Sequence, residues 1–310
     1  MIINYFKSLA QISFARIIFL FILLSAGIAA SVLTSENFRE QSRQDWLAQA
    51  EEEAQRLTSN FAYSLDFANA PIQTITNLFN SSGNVSGDEF TRTVDYLSDK
   101  QTGLPPPSMG FLTVPRDANS DDELQGWIVT YTTEEDGILM QGSDASAGDP
   151  TRSTIAAALS SPDTILIGPA FDQASGSYIS LAASTVANKM QSGVVISLLD
   201  YRTILDEFNA RQIPPGMSLR LEAAFSIADN TVPSEFVYGK AEAPTATLST
   251  LSTSSDFLNT QLNFHWDFSN EFMNGAESPL AMFSLYGGIL TTILLTLFLG
   301  ALFALSARAD

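Results

Sequence analysis

The sequence predicts an α+β fold held between two membrane-spanning helices. Three observations predict it. An apolar run lies near each end of the chain, a helical apolar seam follows the first run, and short β-rich runs broken by Pro and Gly occupy the rest. Short strands interleaved with irregular helices point to antiparallel sheets, because parallel pairing needs a regular crossover between strands.

After residues 1–12, the run 13–33 is long enough to cross a bilayer as a helix. A second run at 280–307 carries no charge, and its Gly287, Gly288 and Gly300 suit a membrane helix. Lys7 and Arg16 flank the start of the first run, Arg308 follows the second, and no acid precedes Glu36. The positive-inside rule therefore places 1–12 and 308–310 in the cytoplasm and 34–279 outside, a multi-pass topology in the inner (plasma) membrane. The first run exceeds a signal-peptide core and is expected to remain as an uncleaved anchor. Within it, Ala26-xxx-Ala30 and Gly27-xxx-Ser31 put small residues on shared faces and permit close helix contact.

Composition removes several chemistries. The chain has no Cys and one His, His265, so thiolate sites and His-rich metal sites are excluded. Twelve basic and 33 acidic residues lie between the spans, a net charge of −21. A field of that sign repels nucleic acid and anionic lipid, and its simplest role is solubility. No nucleic-acid partner is expected.

In the loop, Leu47, Ala50, Ala54, Leu57, Phe61, Ser64, Ala68, Ile72, Ile75 and Phe79 recur in steps of three and four, with one slip before Ile72. They form a coiled-coil seam or one amphipathic face of a stalk helix over 34–79. Pro71 should kink this helix or start a new one. Ser86-Gly-Asp-Glu89 reads as a capping box opening a helix to about Asp99. Pro105-Pro-Pro107 then forbids helix. Strands are expected at Gly110–Val114 and Trp127–Thr132, around a polar acidic turn at Asp117–Glu123. Asp149-Pro150 should start a helix through Leu159. Strands follow at Thr164–Ile167, Tyr178–Val186 and Gly193–Leu199, then a helix at Asp200–Ala210. Pro214-Pro-Gly216 reads as a hinge, dividing 80–210 from 211–279. Beyond it strands are expected at Ser218–Ile227, Glu235–Tyr238, Thr245–Leu251 and Thr260–Asp267.

Catalytic patterns fail one by one. Asp117-Ala-Asn-Ser-Asp121 imitates the start of a calcium loop, but Asp122 stands where Gly is required and Ile128 where Glu is. There is no G-x-S-x-G, P-loop, Rossmann or kinase signature. A Ser-His-Asp hydrolase would have to use His265, which sits in a terminal strand. The pairs Asp121/Asp122 and Glu134/Glu135 would point to opposite faces of a strand. No catalytic residue, metal site or cofactor is predicted.

Taken in order, several segments resemble the CHASE domain, an extracellular sensor found between two spans of receptor kinases and nucleotide cyclases. Trp127-Ile-Val-Thr-Tyr131 is similar to that family's Pro-Val-x-Tyr strand. Gly142 to Arg152 resembles its turn and Asp-Pro-x-Arg helix start. Gly176–Val186 and Gly193–Phe208 resemble its paired strands and following helix, and Gln261–Phe268, with Trp266, its last strand before the membrane. The resemblance covers roughly Leu57–Phe272. It implies a membrane-distal PAS-like sheet holding a small ligand over 80–210, a membrane-proximal PAS-like unit over 211–279, and dimerisation along the stalk. The acidic position through which plant members bind cytokinins falls near Leu124, with Glu123 beside it, which disfavours adenine-type ligands.

A sensor pocket needs an apolar concavity with a few fixed polar groups. On strand alternation, the predicted lining is Phe111, Thr113, Thr130, Thr132, Phe171, Tyr178 and Ser180. The expected function is therefore extracytoplasmic sensing of an unknown small molecule and signalling across the membrane, as a homodimer through the stalk helix. The sensor portion itself is not expected to be an enzyme, and the output domain is expected elsewhere. The alternative is a membrane-anchored binding or scaffold subunit acting through a separate partner.

Overall fold

The computed structural model describes residues 14–82, 84–100, 107–113, 126–133, 139–145, 149–162, 164–173, 176–185, 193–227, 230–231, 235–239, 247–276 and 278–309. The chain divides into two units. Glu52–Ser269 form one, and the flanking segments up to Glu51 and from Asn270 form the other.

The flanking unit contains the start of helix α1 (Phe14–Ser81) and helix α5 (Pro279–Ala309). Both are long and apolar enough to cross a membrane. They pack on each other through small residues. A Cβ placed on Gly27 would collide with the Thr292 side chain, and one on Gly288 with Ser31. Close approach of two helices requires the missing side chains at these positions. Arg16 Nη1 donates to Ser306 Oγ at 3.2 Å, and its guanidinium lies 5.5 Å from the Phe303 ring centre. At the other end Ser35 Oγ donates to the Ala281 carbonyl at 2.9 Å, and Trp46 Nε1 to that of Phe272 at 3.0 Å.

Helix α1 runs unbroken through Pro71, where the sequence predicts a kink or a fresh start. Pro71 removes one ladder bond, but Ala68, Ile72 and Ile75 around it are buried, and that packing outweighs the loss. From Ala54 to Phe79 the apolar seam is buried in the chain's own body, with Leu65 serving where Ser64 was expected. Helix α2 (Gly87–Lys100) follows, and Ser86 Oγ accepts from Glu89 N at 3.2 Å as a cap.

The first sheet comprises β1 (Ser108–Thr113), β2 (Ile128–Thr132), β3 (Ile165–Ile167), β4 (Phe171–Gln173), β5 (Gly176–Thr185) and β6 (Gly193–Asp200). Its order is β2-β1-β6-β5-β3, all antiparallel, with β4 pairing further along β5. Taking β3 and β4 as one interrupted strand, this is the order of a PAS-like sheet. Gly193–Leu199 is buried on both faces, so β6 is a central strand covered from either side. The sequence merged β4 into a loop, because three residues carry too little periodicity to register.

Helix α3 (Asp149–Ser160) lies between β2 and β3 in sequence. Helix α4 (Tyr201–Gln212) starts at Asp200, whose carboxylate accepts from Thr203 N at 3.1 Å and Thr203 Oγ1 at 2.7 Å. The Pro214-Pro-Gly216 segment is a tight turn, with Met217 N donating to the Pro214 carbonyl at 3.2 Å. Gly216 has φ 83°, the value a type II turn requires at its third position.

The second sheet comprises β7 (Met217–Ile227), β8 (Asn230–Thr231), β9 (Glu235–Tyr238), β10 (Ser249–Phe257) and β11 (Thr260–Phe268). Its order is β10-β11-β7-β8, with β9 also on β7. Strand β10 corrects the expected 245–251. Ser252–Asp256 looks like a polar loop in sequence, yet half-buried and exposed residues alternate along the whole strand. A polar edge strand needs only one half-covered face, so composition hides it. On the inner face, Trp266 Nε1 donates to Thr58 Oγ1 and Thr253 Oγ1 at 3.1 and 3.0 Å, and Phe61 meets Phe264 edge-on at 5.6 Å. The acidic turn 117–123, with its calcium-like segment, and Glu134/Glu135 lie outside the described residues.

Candidate functional site

The two faces of the first sheet differ in chemistry. Its back face carries Met109, Phe111, Val195 and Leu181 toward α1 and α2. Phe79 stacks on Phe111 with ring centres 3.9 Å apart, and Phe90 and Tyr131 complete the aromatic cluster. Its front face carries Leu112, Val129, Ala182, Val194, Ile196 and Leu198, covered by Ile155 and Ala158 of α3 and by Leu139 and Ala145. Trp127, Phe171 and Tyr178 sit half-buried at its margin.

The predicted lining residues divide between these faces. Thr132, Phe171, Tyr178 and Ser180 lie on the front. Thr132 pairs with Gly110, and Phe171 pairs with Tyr178 at a ring separation of 6.1 Å. Ser180 is fully buried, its hydroxyl 3.0 Å from that of Thr154 on α3. Phe111 belongs to the back-face stack. Thr113 and Thr130 bond to each other at 2.7 Å where the β1–β2 register slips between Phe111 and Leu112. The extra residue is Thr130 on β2, so Thr130 and Thr132 no longer share a face by simple alternation, whereas Phe111 and Thr113 keep the two-residue period of β1.

Other front-face groups come from elements the sequence reading treated as framework. Thr151 donates to the Ala145 carbonyl at 2.7 Å, fixing the start of α3, and Thr154, Ile155 and Ala158 follow on the same helix face. The signal was present as Thr151-xx-Thr154-Ile155-xx-Ala158, a helix-spaced run facing a sheet. Ser184, on β5 opposite Val194, also lies on this face. Below the β4–β5 hairpin, Ser177 Oγ donates to Asp172 Oδ1 at 2.5 Å and accepts from Arg202 Nε at 3.1 Å.

No family model matches the chain. No curated protein matches it. Solved structures of similar shape include a methyl-accepting chemotaxis protein X (12% identity, 71% of this chain and 96% of that one, TM-score 0.49). A second is the ligand-binding domain of the Pseudomonas fluorescens chemoreceptor CtaA with L-isoleucine (14%, 74% and 95%, TM-score 0.48). A third is the ligand-binding domain of the Pseudomonas aeruginosa PAO1 amino-acid chemoreceptor PctC with GABA (13%, 71% and 99%, TM-score 0.45).

Two further features lie away from the front face. An apolar cavity of about 30 Å³ is lined by Phe61, Leu65, Ile167, Leu199, Leu221 and Phe225 among others. Its lining is apolar throughout and offers no fixed polar group to orient a ligand. On the outer face of the second sheet, His265 Nδ1 lies 3.0 Å from Ser252 Oγ and Nε2 lies 3.4 Å from Glu222 Oε2. These three residues stand on adjacent strands β10, β11 and β7, and their contacts are those of cross-strand neighbours. Beside them Arg220 grips Asp267 through Nε at 2.7 Å and Nη2 at 3.2 Å, and Thr250 donates to the same carboxylate at 2.6 Å. Among the described residues no group of three metal-ligating side chains converges.

Proposed function

We propose that this chain is the extracytoplasmic ligand-sensing module of a membrane receptor, with the first sheet as its ligand-binding element. The single observation that carries the reading is the build of that sheet. Its PAS-like order presents one face to the helix that continues from the first span and the other to α3, in a chain with a span-length apolar helix near each end. A ligand on the front face would bias the packing of α3. Because β1 and β6 are shared by both faces, the bias reaches the Phe79–Phe111 stack on α1. Signalling requires only that the ligand bind the two arrangements unequally.

The same reading places residues 34–279 outside the inner membrane and both ends of the chain inside. A reporter fused within 34–279 should be active only in the exterior compartment, and a cytosolic signal would end the proposal. Within it, the segments from Trp127 to Phe268 support a CHASE-type receptor as the finer assignment. Homodimerisation through α1 is also proposed, but on a different face from the seam. Tyr63 and Phe67 are exposed four residues apart on the side away from the buried Leu57, Phe61 and Leu65, and a second copy would cover them.

A further inference from the structure

The geometry points to an uncharged small organic molecule as the occupant of the front face, with the Ser184 hydroxyl as one of its hydrogen-bond partners. This rests on the ligand-sensing reading above. Ser184 is more than nine-tenths buried, and its Oγ has no hydrogen-bond partner. Its strand position fixes where it points: it pairs with Val194 and stands two residues beyond Ala182, so it shares the face of Leu112, Ile196 and Leu198. A buried hydroxyl left unmatched is destabilising, and such exceptions in a folded protein call for an explanation. A ligand group supplies one.

The charge of the ligand follows from what surrounds Ser184. Among the described residues, the front face of β1, β5 and β6 from Leu112 to Leu198 holds apolar groups and hydroxyls. The Ser180 hydroxyl is matched by Thr154. The nearest carboxylate along β6 is Asp200, and it is taken up in capping α4 through Thr203. Among the described residues no opposite charge on this face would replace the hydration lost by a buried ammonium or carboxylate, whereas a neutral molecule with one polar group loses little. Ile155 and Ala158 cover the face, so binding displaces α3 outward, and half-buried Trp127 at the margin reports that movement by fluorescence.

The test uses the full chain in nanodiscs, screened by melting temperature and Trp fluorescence. The library is divided into neutral and charged sets of matched size, with indole and cyclohexanol in the first and L-isoleucine and γ-aminobutyrate in the second. Stabilising compounds should fall in the neutral set. Ser184→Ala should leave the free protein at least as stable and weaken those compounds about three- to tenfold, the effect of one neutral hydrogen bond. Ser184→Thr, which keeps the hydroxyl, should retain binding. Stabilisation confined to the charged set, or neutral binding unchanged in Ser184→Ala, overturns the inference and leaves the sensing reading intact. No stabilisation by either set ends both.

Discussion

Asn259 fastens the second sheet to the first by gripping the backbone of Ile167. Its Oδ1 accepts from Ile167 N at 2.7 Å and its Nδ2 donates to Ile167 O at 3.1 Å. Asn259 sits in the β10–β11 turn and Ile167 ends β3, so one side-chain amide completes the ladder of an edge strand belonging to another sheet. Asn259→Ala leaves a backbone donor and acceptor without partners and should destabilise the chain by about 2–3 kcal/mol. Denaturant unfolding in nanodiscs checks this; an unchanged midpoint would show that the clamp is dispensable.

Arg220 and Asp267 form the most enclosed ion pair among the described residues, with side chains 11% and 1% exposed. Asp267→Ala removes the carboxylate that holds both the guanidinium and Thr250 and should cost about 3–5 kcal/mol. Replacing both partners by apolar residues should cost much less. If the double variant is as unstable as the single, the pair is not what Asp267 contributes.

Tyr238 gives the second sheet an alkaline limit. Burial, and then its 2.9 Å hydrogen bond to Asp206 on α4, push the phenol above its ordinary range. The folded state thus favours the neutral phenol. Its contribution is complete below the unfolded-state value near pH 10 and is lost as pH rises through the higher folded value. Tyr238→Phe should flatten this alkaline loss while costing about 1 kcal/mol at neutral pH. Parallel stability curves for the two proteins above pH 10 would refute the assignment.

Exposed aromatic residues on α1 predict the dimer face. Tyr63→Lys with Phe67→Glu should abolish self-association, read by light scattering or crosslinking, and should leave the melting temperature of the monomer almost unchanged because neither side chain is in the core. A dimer that survives both changes places the interface elsewhere.

The paired spans can be tested directly, because the chain has no cysteine to interfere. A Cβ on Gly300 would lie 3.7 Å from Leu20 Cδ1. Leu20→Cys with Gly300→Cys should therefore crosslink within one chain through a short bis-maleimide reagent, which spans more than a disulfide does. Gly27→Leu, which pushes against Thr292, should suppress that crosslink, and equal yields in both backgrounds would show that Gly27 is not at the contact.

The sequence alone determined what depends on local pattern. Long apolar runs gave the span-length helices, the three-four spacing gave α1 and its buried side, and Ser86 and Asp200 gave helix starts, because each signal is complete within a few turns of chain. Only the tertiary structure decided which side chains share a face. The pairing of β1 with β6 put Phe111 beside Val195 on the aromatic side of the sheet, and the polar run Ser252–Asp256 became a strand only because β11 lay beside it. The small-residue face of the first span found its partner within the same chain, on α5. Register, bulges and partner choice are set by contacts between residues far apart in sequence, so no local spacing encodes them, and the front-face site, assembled from β1, β5, β6 and α3, belongs to that class.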